Sequence, residues 1–335
     1  MRVDKLPPVN VTLQPSNHPY LNGAWTPQHE EVTATDLEVI EGSIPDDIDG
    51  VYLRNTENQI HQPLGRYHPF DGDGMIHQID FSGGKASYRN RFVRTRCFQA
   101  EQDAGGSLWG GLMDKVGVSK RPGFGAHGSL KDSSSTDIIV HAGKAVSTFY
   151  QCGEGYVLDP ETLEQEGVAS WVPLDGISAH PKVDERTGEL LFFNYSKHAP
   201  YMHYGVVDRS GKLAHYVPIP LPGPRLPHDM MFTENWSILC DFPLFWDEEL
   251  LKRDVHVTRL HEGLPSRFAL IPRYGQPEDI RWFEADPTFV LHFINAYEDG
   301  DEVILDGYFE EDPYPPPIEN ADGYGHMMAY VDEHS

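Results

Sequence analysis

Three histidines of the chain recur in one sequence context. His180, His228 and His292 each open a short apolar segment that is followed by a polar turn, and a second apolar segment begins 8–10 residues after the histidine. If the equivalent segments pack side by side, the three imidazoles meet at one point. Imidazole nitrogen binds Fe, Zn, Cu and Ni alike, so this pattern predicts a divalent transition-metal site without choosing the metal.

Zinc and iron would do different chemistry at such a site. Three histidines and a water on zinc make a hydrolytic or hydration site. The same ligands on iron(II) leave open positions for dioxygen and substrate. The chain has 17 histidines, and a single strand histidine is more often structural than a ligand. Only the repeated context therefore favours the interpretation of these three histidines as metal ligands.

The elements that would position these histidines are short strands. Apolar runs alternate with Gly, Pro and Asp turns after residue 50, a pattern typical of sandwiches, barrels and propellers. The histidines lie 48 and 64 residues apart. A propeller blade takes about 40–50 residues, so the first interval fits one blade and the second fits a blade plus an insertion. Because the innermost strands of all blades face one axis, a propeller would bring the histidines together.

The sequence predicts a single domain over residues 51–335. Residues 1–50 are rich in proline and have no steady hydrophobic period, so we expect an extended lead-in that packs on this domain. Helical patterns are few. The strongest predicts a helix over Phe245–Val255, and a weaker one lies at Leu108–Val116.

Composition excludes several functional classes. Asp and Glu number 52 against 26 Lys and Arg, which gives a net charge of −26. That charge repels nucleic acid, so we expect no nucleic-acid partner. No apolar stretch reaches the roughly 18 residues of a membrane-spanning helix, and three widely spaced cysteines argue against a disulfide framework. We expect a cytoplasmic protein that binds an apolar small molecule.

Five segments resemble the carotenoid oxygenase family, whose members include carotenoid, apocarotenoid and stilbene cleavage dioxygenases. They span nearly the whole chain, and the three that contain the histidines are the most specific. The segments are IPDDIDGVYLRN (Ile44–Asn55), RYHPFDGDGMIH (Arg66–His77), ISAHPKVDERTGEL (Ile177–Leu190), LPHDMMFTENW (Leu226–Trp236) and LHFINAYEDGDEV (Leu291–Val303).

The resemblance implies an all-β fold, a seven-bladed β-propeller capped by loops and short helices, of which this chain would hold about five blades. It also implies one non-haem Fe(II) ion per chain, held on the axis by four histidines. His180, His228 and His292 match the first three. The fourth ligand and the last blades would lie beyond Ser335, so we expect a C-terminally truncated member of the family.

The reaction implied by the resemblance is cleavage of a conjugated C=C bond with O₂ as co-substrate. The substrate would be a long apolar polyene, a carotenoid or apocarotenoid, and the products two carbonyl compounds. Such a dioxygenase needs no catalytic side chain beyond the metal centre. Two alternatives stay open, a three-His zinc hydrolase or lactonase on a propeller and a catalytically inactive fragment.

Further site residues follow from the same resemblance. The family orients its iron histidines with glutamates, and Gln151 takes the first of those positions, where it could accept the same hydrogen bond without a charge. Phe149 and Tyr150 stand near the point where stilbene-cleaving relatives carry a phenol-binding lysine, which favours a polyene; we expect both to line the substrate tunnel. Phe245 and Trp246 would form an apolar mouth that could touch a membrane surface peripherally.

Overall fold

The computed structural model describes residues 1–114, 116–122, 130–246, 249 and 258–309. Strands dominate these residues, which confirms the predicted all-β class. The number of propeller blades stays a prediction, as does the single domain over residues 51–335. No helix in the described part of the chain has the length and apolar character that crossing a bilayer requires.

The chain divides into two compact units. Unit 1 comprises residues 1–114, 118–149 and 153–169, and unit 2 comprises residues 115–117, 150–152 and 170–335.

Unit 1 begins with a five-stranded antiparallel sheet. Its strands are β1 (Arg2–Lys5), β2 (Val32–Thr35), β3 (Gly50–Asn58), β4 (Asp73–Ser82) and β5 (Lys85–Phe92). They lie in the order β1-β2-β5-β4-β3. Gly83 and Gly84 join β4 to β5 with φ values of 55° and 72°, a left-handed conformation that glycine adopts without steric penalty. The predicted lead-in thus supplies two of the strands of this sheet.

The second sheet of unit 1 has four strands in chain order. They are β6 (Asp137–His141), β7 (Lys144–Thr148), β8 (Tyr156–Leu158) and β9 (Gln165–Val168). The Asn55 side chain joins the two sheets, because its Nδ2 donates to the Ser134 backbone oxygen at 2.9 Å and to Ser147 Oγ at 3.1 Å.

Helix α1 of unit 1 spans Arg96–Ala104 and was not predicted. Thr95 caps it by accepting a hydrogen bond from the Phe98 backbone N–H at 2.9 Å, and Gly105 ends it with a φ of 67°. Thr and Gly at these two positions are the signal that could have located the helix. The weaker predicted helix at Leu108–Val116 is wrong, because its described residues form turns. Short 3₁₀ turns lie at Pro19–Leu21, Gly23–Trp25, Pro69–Asp71, Val116–Val118 and Pro277–Asp279.

In its described residues, unit 2 contains two four-stranded sheets and two hairpins. Its strands are β10 (Lys182–Asp184), β11 (Glu189–Tyr195), β12 (Met202–Val207), β13 (Leu213–Pro218), β14 (Met231–Phe232), β15 (Trp236–Asp241), β16 (Leu244–Trp246), β17 (Thr258–Leu260), β18 (Ser266–Pro272), β19 (Arg281–Ala285), β20 (Phe293–Asp299) and β21 (Glu302–Gly307). The sheets have the orders β10-β11-β12-β13 and β14-β15-β18-β19, and the hairpins are β16-β17 and β20-β21.

The predicted repeat is confirmed at its three places. A first strand follows each histidine, and after a turn a second strand pairs with it antiparallel, as β10 with β11, β14 with β15 and β20 with β21. Strand β11 is buried on both faces from Leu190 to Tyr195. Phe192 and Phe193 therefore belong to the core of unit 2, as expected of a strand covered on both sides.

The predicted helix over Phe245–Val255 is wrong at its start. Leu244–Trp246 form strand β16, in which Phe245 lies opposite Arg259 of β17. A short apolar run fits a strand as well as a helix, and here cross-strand pairing decided between them. Residues 247, 248 and 250–257 lie outside the described part of the chain.

Candidate metal centre

The three predicted histidines occupy equivalent places in unit 2. His180 lies two residues before β10, His228 three residues before β14, and His292 directly before β20. Each side chain therefore projects from the start of the first strand of its own sheet or hairpin.

The structure brings the three imidazoles together. Nε2 of His180 lies 3.2 Å from Nε2 of His228 and 3.3 Å from Nε2 of His292. One ring nitrogen from each residue lies within 4.8 Å of the others. His180 and His228 are half-buried and His292 is exposed, so a ligand could reach the cluster from one side.

The two separations from His180 fit a shared metal ion. With metal–nitrogen bonds of about 2.0–2.1 Å, two nitrogens on one ion lie about 2.8–3.4 Å apart at angles from square to tetrahedral. Both measured separations fall in that range. A ring nitrogen carries either one proton or one lone pair, so His180 Nε2 can make only one good hydrogen bond to its two neighbours. A cation shared by three lone pairs satisfies all three rings.

The backbone of His180 is strained. Its φ is 61°, a left-handed conformation that non-glycine residues seldom adopt. Pro181 follows it, and proline favours an extended residue before it. Such conformations cost about 1–3 kcal/mol and cluster at functional sites, because the surrounding structure must hold them. The strain supports a functional role for the direction in which the His180 side chain points.

Tyr150 lies beside the cluster. Its ring centroid is 6.4 Å from that of His228, and its backbone oxygen accepts a hydrogen bond from the buried Tyr195 hydroxyl at 2.7 Å. Gln151 is half-buried in the same turn, and its role as a partner of an imidazole stays a prediction. Phe149 belongs to unit 1, where it is buried with 3% of its surface exposed. Its place in a tunnel also stays a prediction.

The proposed apolar mouth receives no support from Phe245. Only 6% of this residue is exposed, because its ring stacks on His261 at 3.8 Å and lies 3.9 Å from the Arg225 guanidinium carbon. A ring held between these two groups is not free to enter a lipid surface. The Trp246 side chain lies outside the described part of the structure.

A buried charged pair beside the cluster was missed from the sequence. Nζ of Lys182 donates to Oδ1 of Asp229 at 2.6 Å, and the Asp229 side chain is 3% exposed. A charged residue within two positions of a candidate ligand was the available signal, since Lys182 follows His180 by two residues and Asp229 directly follows His228.

Fold and cluster together define an all-β protein with three converging histidines. The family model of the retinal pigment epithelial membrane protein matches residues 25–326. The chain therefore belongs to that family, which includes the carotenoid oxygenases, and the resemblance seen in the sequence is confirmed.

Relatives with curated functions include carotenoid cleavage dioxygenases and isoeugenol monooxygenases. A carotenoid 9,10(9',10')-cleavage dioxygenase of Pisum sativum is 33% identical over 86% of this chain and 56% of its own length. An isoeugenol monooxygenase of Pseudomonas putida is 36% identical over 91% of this chain and 64% of its own. The chain thus spans little more than half to about two thirds of these relatives.

Solved structures agree on the fold. A lignostilbene dioxygenase of Pseudomonas brassicacearum superposes with a TM-score of 0.78 and 29% identity, over 92% of this chain and 67% of its own. A Synechocystis apocarotenoid oxygenase variant gives a TM-score of 0.69 at 24% identity, over 84% of this chain and 61% of its own.

Proposed function

We propose that this chain carries the iron site of a non-haem Fe(II) dioxygenase that cleaves a conjugated C=C bond of a carotenoid or apocarotenoid with O₂. The observation that carries the proposal is the convergence of His180, His228 and His292, with His180 Nε2 at 3.2 and 3.3 Å from the Nε2 atoms of the other two, in a chain of this family. We propose that the chain forms part of a seven-bladed β-propeller.

The three histidines would hold one Fe(II) ion per chain. Neutral imidazoles leave the ion its full charge, and the bound iron would supply the activation of O₂. Both oxygen atoms would enter the product, one in each carbonyl group, so the reaction needs no other oxidant. No side chain of the chain acts as an acid, base or nucleophile in this proposal.

The residues around the cluster would bind and orient an apolar substrate. The Tyr150 ring beside His228 offers an aromatic face, and we propose that Phe149 lines the same path. Gln151 would orient one imidazole through a hydrogen bond. An apolar lining excludes water, which favours transfer of both oxygen atoms to the substrate over side reactions.

A phenylpropenoid or stilbene is the second candidate substrate class. It is supported by the 36% identity to an isoeugenol monooxygenase and by the TM-score of 0.78 to a lignostilbene dioxygenase. Both substrate classes present a C=C bond conjugated to an extended π-system. They differ in the phenol, for which Phe149 and Tyr150 provide no cationic partner.

Iron binding tests the ligand assignment. The chain is loaded with Fe(II) without oxygen, and its metal content is measured by mass spectrometry. We expect about one iron per chain, lost in His228→Ala but kept in His215→Ala, whose histidine bonds the Gly275 backbone oxygen at 2.9 Å outside the cluster. Equal iron in all three proteins would refute the assignment.

Labelled oxygen tests the reaction. An apocarotenal and isoeugenol are each incubated with the iron-loaded chain under ¹⁸O₂, and the products are weighed by mass spectrometry. Label in both carbonyl products of the apocarotenal supports the first candidate, and turnover of isoeugenol alone supports the second. Hydrolysis of an ester or lactone by a zinc-loaded chain, without O₂ uptake, would support a zinc hydrolase. Iron binding without turnover of either substrate would support an inactive fragment.

A further inference from the structure

A single buried carboxylate in unit 2 accepts hydrogen bonds from three segments of the chain, its own among them: two from backbone N–H groups and one from a lysine side chain. Oδ1 of Asp229 accepts hydrogen bonds from Nζ of Lys182 at 2.6 Å and from the Met230 backbone N–H at 2.8 Å. Oδ2 accepts from the Phe293 backbone N–H at 3.1 Å. The carboxylate is 3% exposed, so water screens these contacts little.

Each of the three segments carries one histidine of the cluster. Lys182 lies two residues after His180, Phe293 directly follows His292, and the carboxylate's own residue directly follows His228. The three segments begin strands β10, β14 and β20, which belong to two different sheets and a hairpin. Within the described residues no sheet ladder pairs these three strands with one another, whereas the carboxylate bonds to all three segments.

The chemistry of the contact requires a carboxylate. All three partners are N–H donors, and an ionised carboxylate offers acceptors on both of its oxygens. An asparagine at position 229 would place its own N–H₂ against one set of these donors, whichever way the amide is turned. Hydrogen bonds from a cation to a carboxylate are also about twice as strong as neutral ones.

We propose that Asp229 is the positioning residue that sets the spacing of the three imidazoles. The hydrogen bonds of Asp229 do not depend on a metal. Only the expected effect on metal binding rests on the proposed function. Metal ligands must be held within about 0.5 Å of their working positions. Without the carboxylate, the ion itself would have to order the three segments, which lowers its affinity; loss of a residue that orients ligands typically weakens metal binding about 10–100-fold.

Asp184 provides a matched control. Its side chain is also 3% exposed and pairs with a cation, Arg273, at 2.7 Å. It lies on the same strand as Lys182 but four residues from His180, and its bonds run to Arg273 and Arg186. Asp184→Asn removes the same charge at the same burial and leaves every hydrogen bond of the Asp229 carboxylate in place.

The first measurement needs no metal. In a deuterated chain with ¹³C-labelled histidine rings, nuclear Overhauser effects are expected from His180 to His228 and to His292, whose ring centroids lie 4.8 and 4.9 Å away. We expect these signals to be lost in Asp229→Asn and kept in Asp184→Asn. Retention of both in Asp229→Asn would overturn the proposal.

The second measurement is the affinity for Co(II), whose visible spectrum reports the ligand geometry. The measured affinity is corrected for the folded fraction of each variant. Asp229→Asn should weaken Co(II) binding about 10–100-fold. Lys182→Met should weaken it less because it frees one segment, and Asp184→Asn should leave it unchanged. An equal loss in Asp229→Asn and Asp184→Asn would reduce Asp229 to a structural residue. If the unaltered chain bound no Co(II), the proposed metal site would fail, and the ring signals alone would decide the positioning role.

Discussion

Buried and half-buried carboxylates in unit 1 and unit 2 lie in different surroundings. In unit 1, burial is the largest influence and raises the pKa of Glu57 and Asp132 to about 7 and that of Asp71 and Asp73 to about 6. Lys131 is the cation beside Asp73, and it also pairs with the buried Glu101 at 3.0 Å. At Asp73 the attraction of Lys131 does not offset the loss of hydration.

Unit 2 supplies its carboxylates with stronger partners. Burial raises the pKa of Asp184, but hydrogen bonds from Arg273 and Arg186 outweigh it, so the pKa lies below its ordinary value. The pKa of Glu189 is lowered likewise, against the effect of burial, by hydrogen bonds from Tyr274, Arg273 and Thr187. These carboxylates tie the sheets of unit 2 together, since Arg273 Nη2 also donates to the Thr233 backbone oxygen at 2.9 Å.

The difference gives the two sets of carboxylates opposite effects on stability. A carboxyl whose folded pKa is raised binds protons that the unfolded chain has released, so its contribution falls as pH rises from about 4 to about 7. A carboxyl whose folded pKa is lowered contributes stability above its ordinary pKa and loses it as pH falls through the folded value. Charge thus weakens unit 1 near neutral pH and strengthens unit 2.

The largest expected effect comes from Arg273→Leu. It leaves Asp184 and Glu189, whose side chains are 3% and 16% exposed, without their shared cation. Removing one partner of a buried ion pair typically lowers the free energy of unfolding by about 3–5 kcal/mol. The control is Arg186→Leu, whose side chain pairs with the same aspartate but is 63% exposed, and it should lose less than about 1 kcal/mol in urea unfolding. Equal losses would contradict the importance of burial.

Glu57→Gln should stabilise unit 1 at pH 8 by about 1–3 kcal/mol, because the uncharged amide avoids the penalty of ionising a half-buried, partly desolvated group. Near pH 4 the gain should vanish, since Glu57 with a pKa of about 7 is then protonated. Urea unfolding followed by hydrogen exchange in unit 1 peptides measures both values. The same substitution at the exposed Glu164 of unit 1 should give no comparable gain. A pH-independent gain at Glu57 would count against the burial argument.

His68→Asn should remove from unit 1 the loss of stability that a buried, unprotonated histidine causes at acid pH. Burial lowers the pKa of His68 to about 4, so the folded chain stays unprotonated where the unfolded chain takes up a proton. This histidine therefore costs stability as pH falls from about 6.5 towards 4. Asparagine can keep the cap to the Phe70 N–H. Relative to the unaltered chain, we expect a gain of about 1–2 kcal/mol at pH 5 that disappears at pH 8.

Glu298→Gln should have the smallest effect. Hydrogen bonds from the Thr233 and Asn235 side chains lower the pKa of Glu298, and Asn235 Nδ2 donates to it at 2.9 Å. Because the site is open to water, the charge adds little, and we expect a loss below about 1 kcal/mol at pH 7. That loss should shrink below pH 4, as the native carboxyl becomes protonated. A loss as large as that of Arg273→Leu would remove the distinction between open and buried carboxylates.

The strands and the histidine repeat could be predicted because both are local patterns. Alternating apolar runs and turns predicted the all-β class, and the shared context of His180, His228 and His292 predicted their convergence, which the structure shows. Helix α1 was missed because its evidence is one capping residue and one terminal glycine. The strand at Phe245 was mistaken for a helix because a distant partner, β17, decides its conformation.

Residue types and spacing alone determined the all-β class, the family and the three histidines of the candidate metal site. Only the tertiary structure decided that Asp229 joins the three histidine segments, that Phe245 is enclosed by Arg225 and His261, and that Arg273 serves two carboxylates. The physical reason is sequence separation. Periodicity and turn chemistry act over a few residues, whereas a buried ion pair or a ring stack joins residues whose distance along the chain carries no sign of their contact.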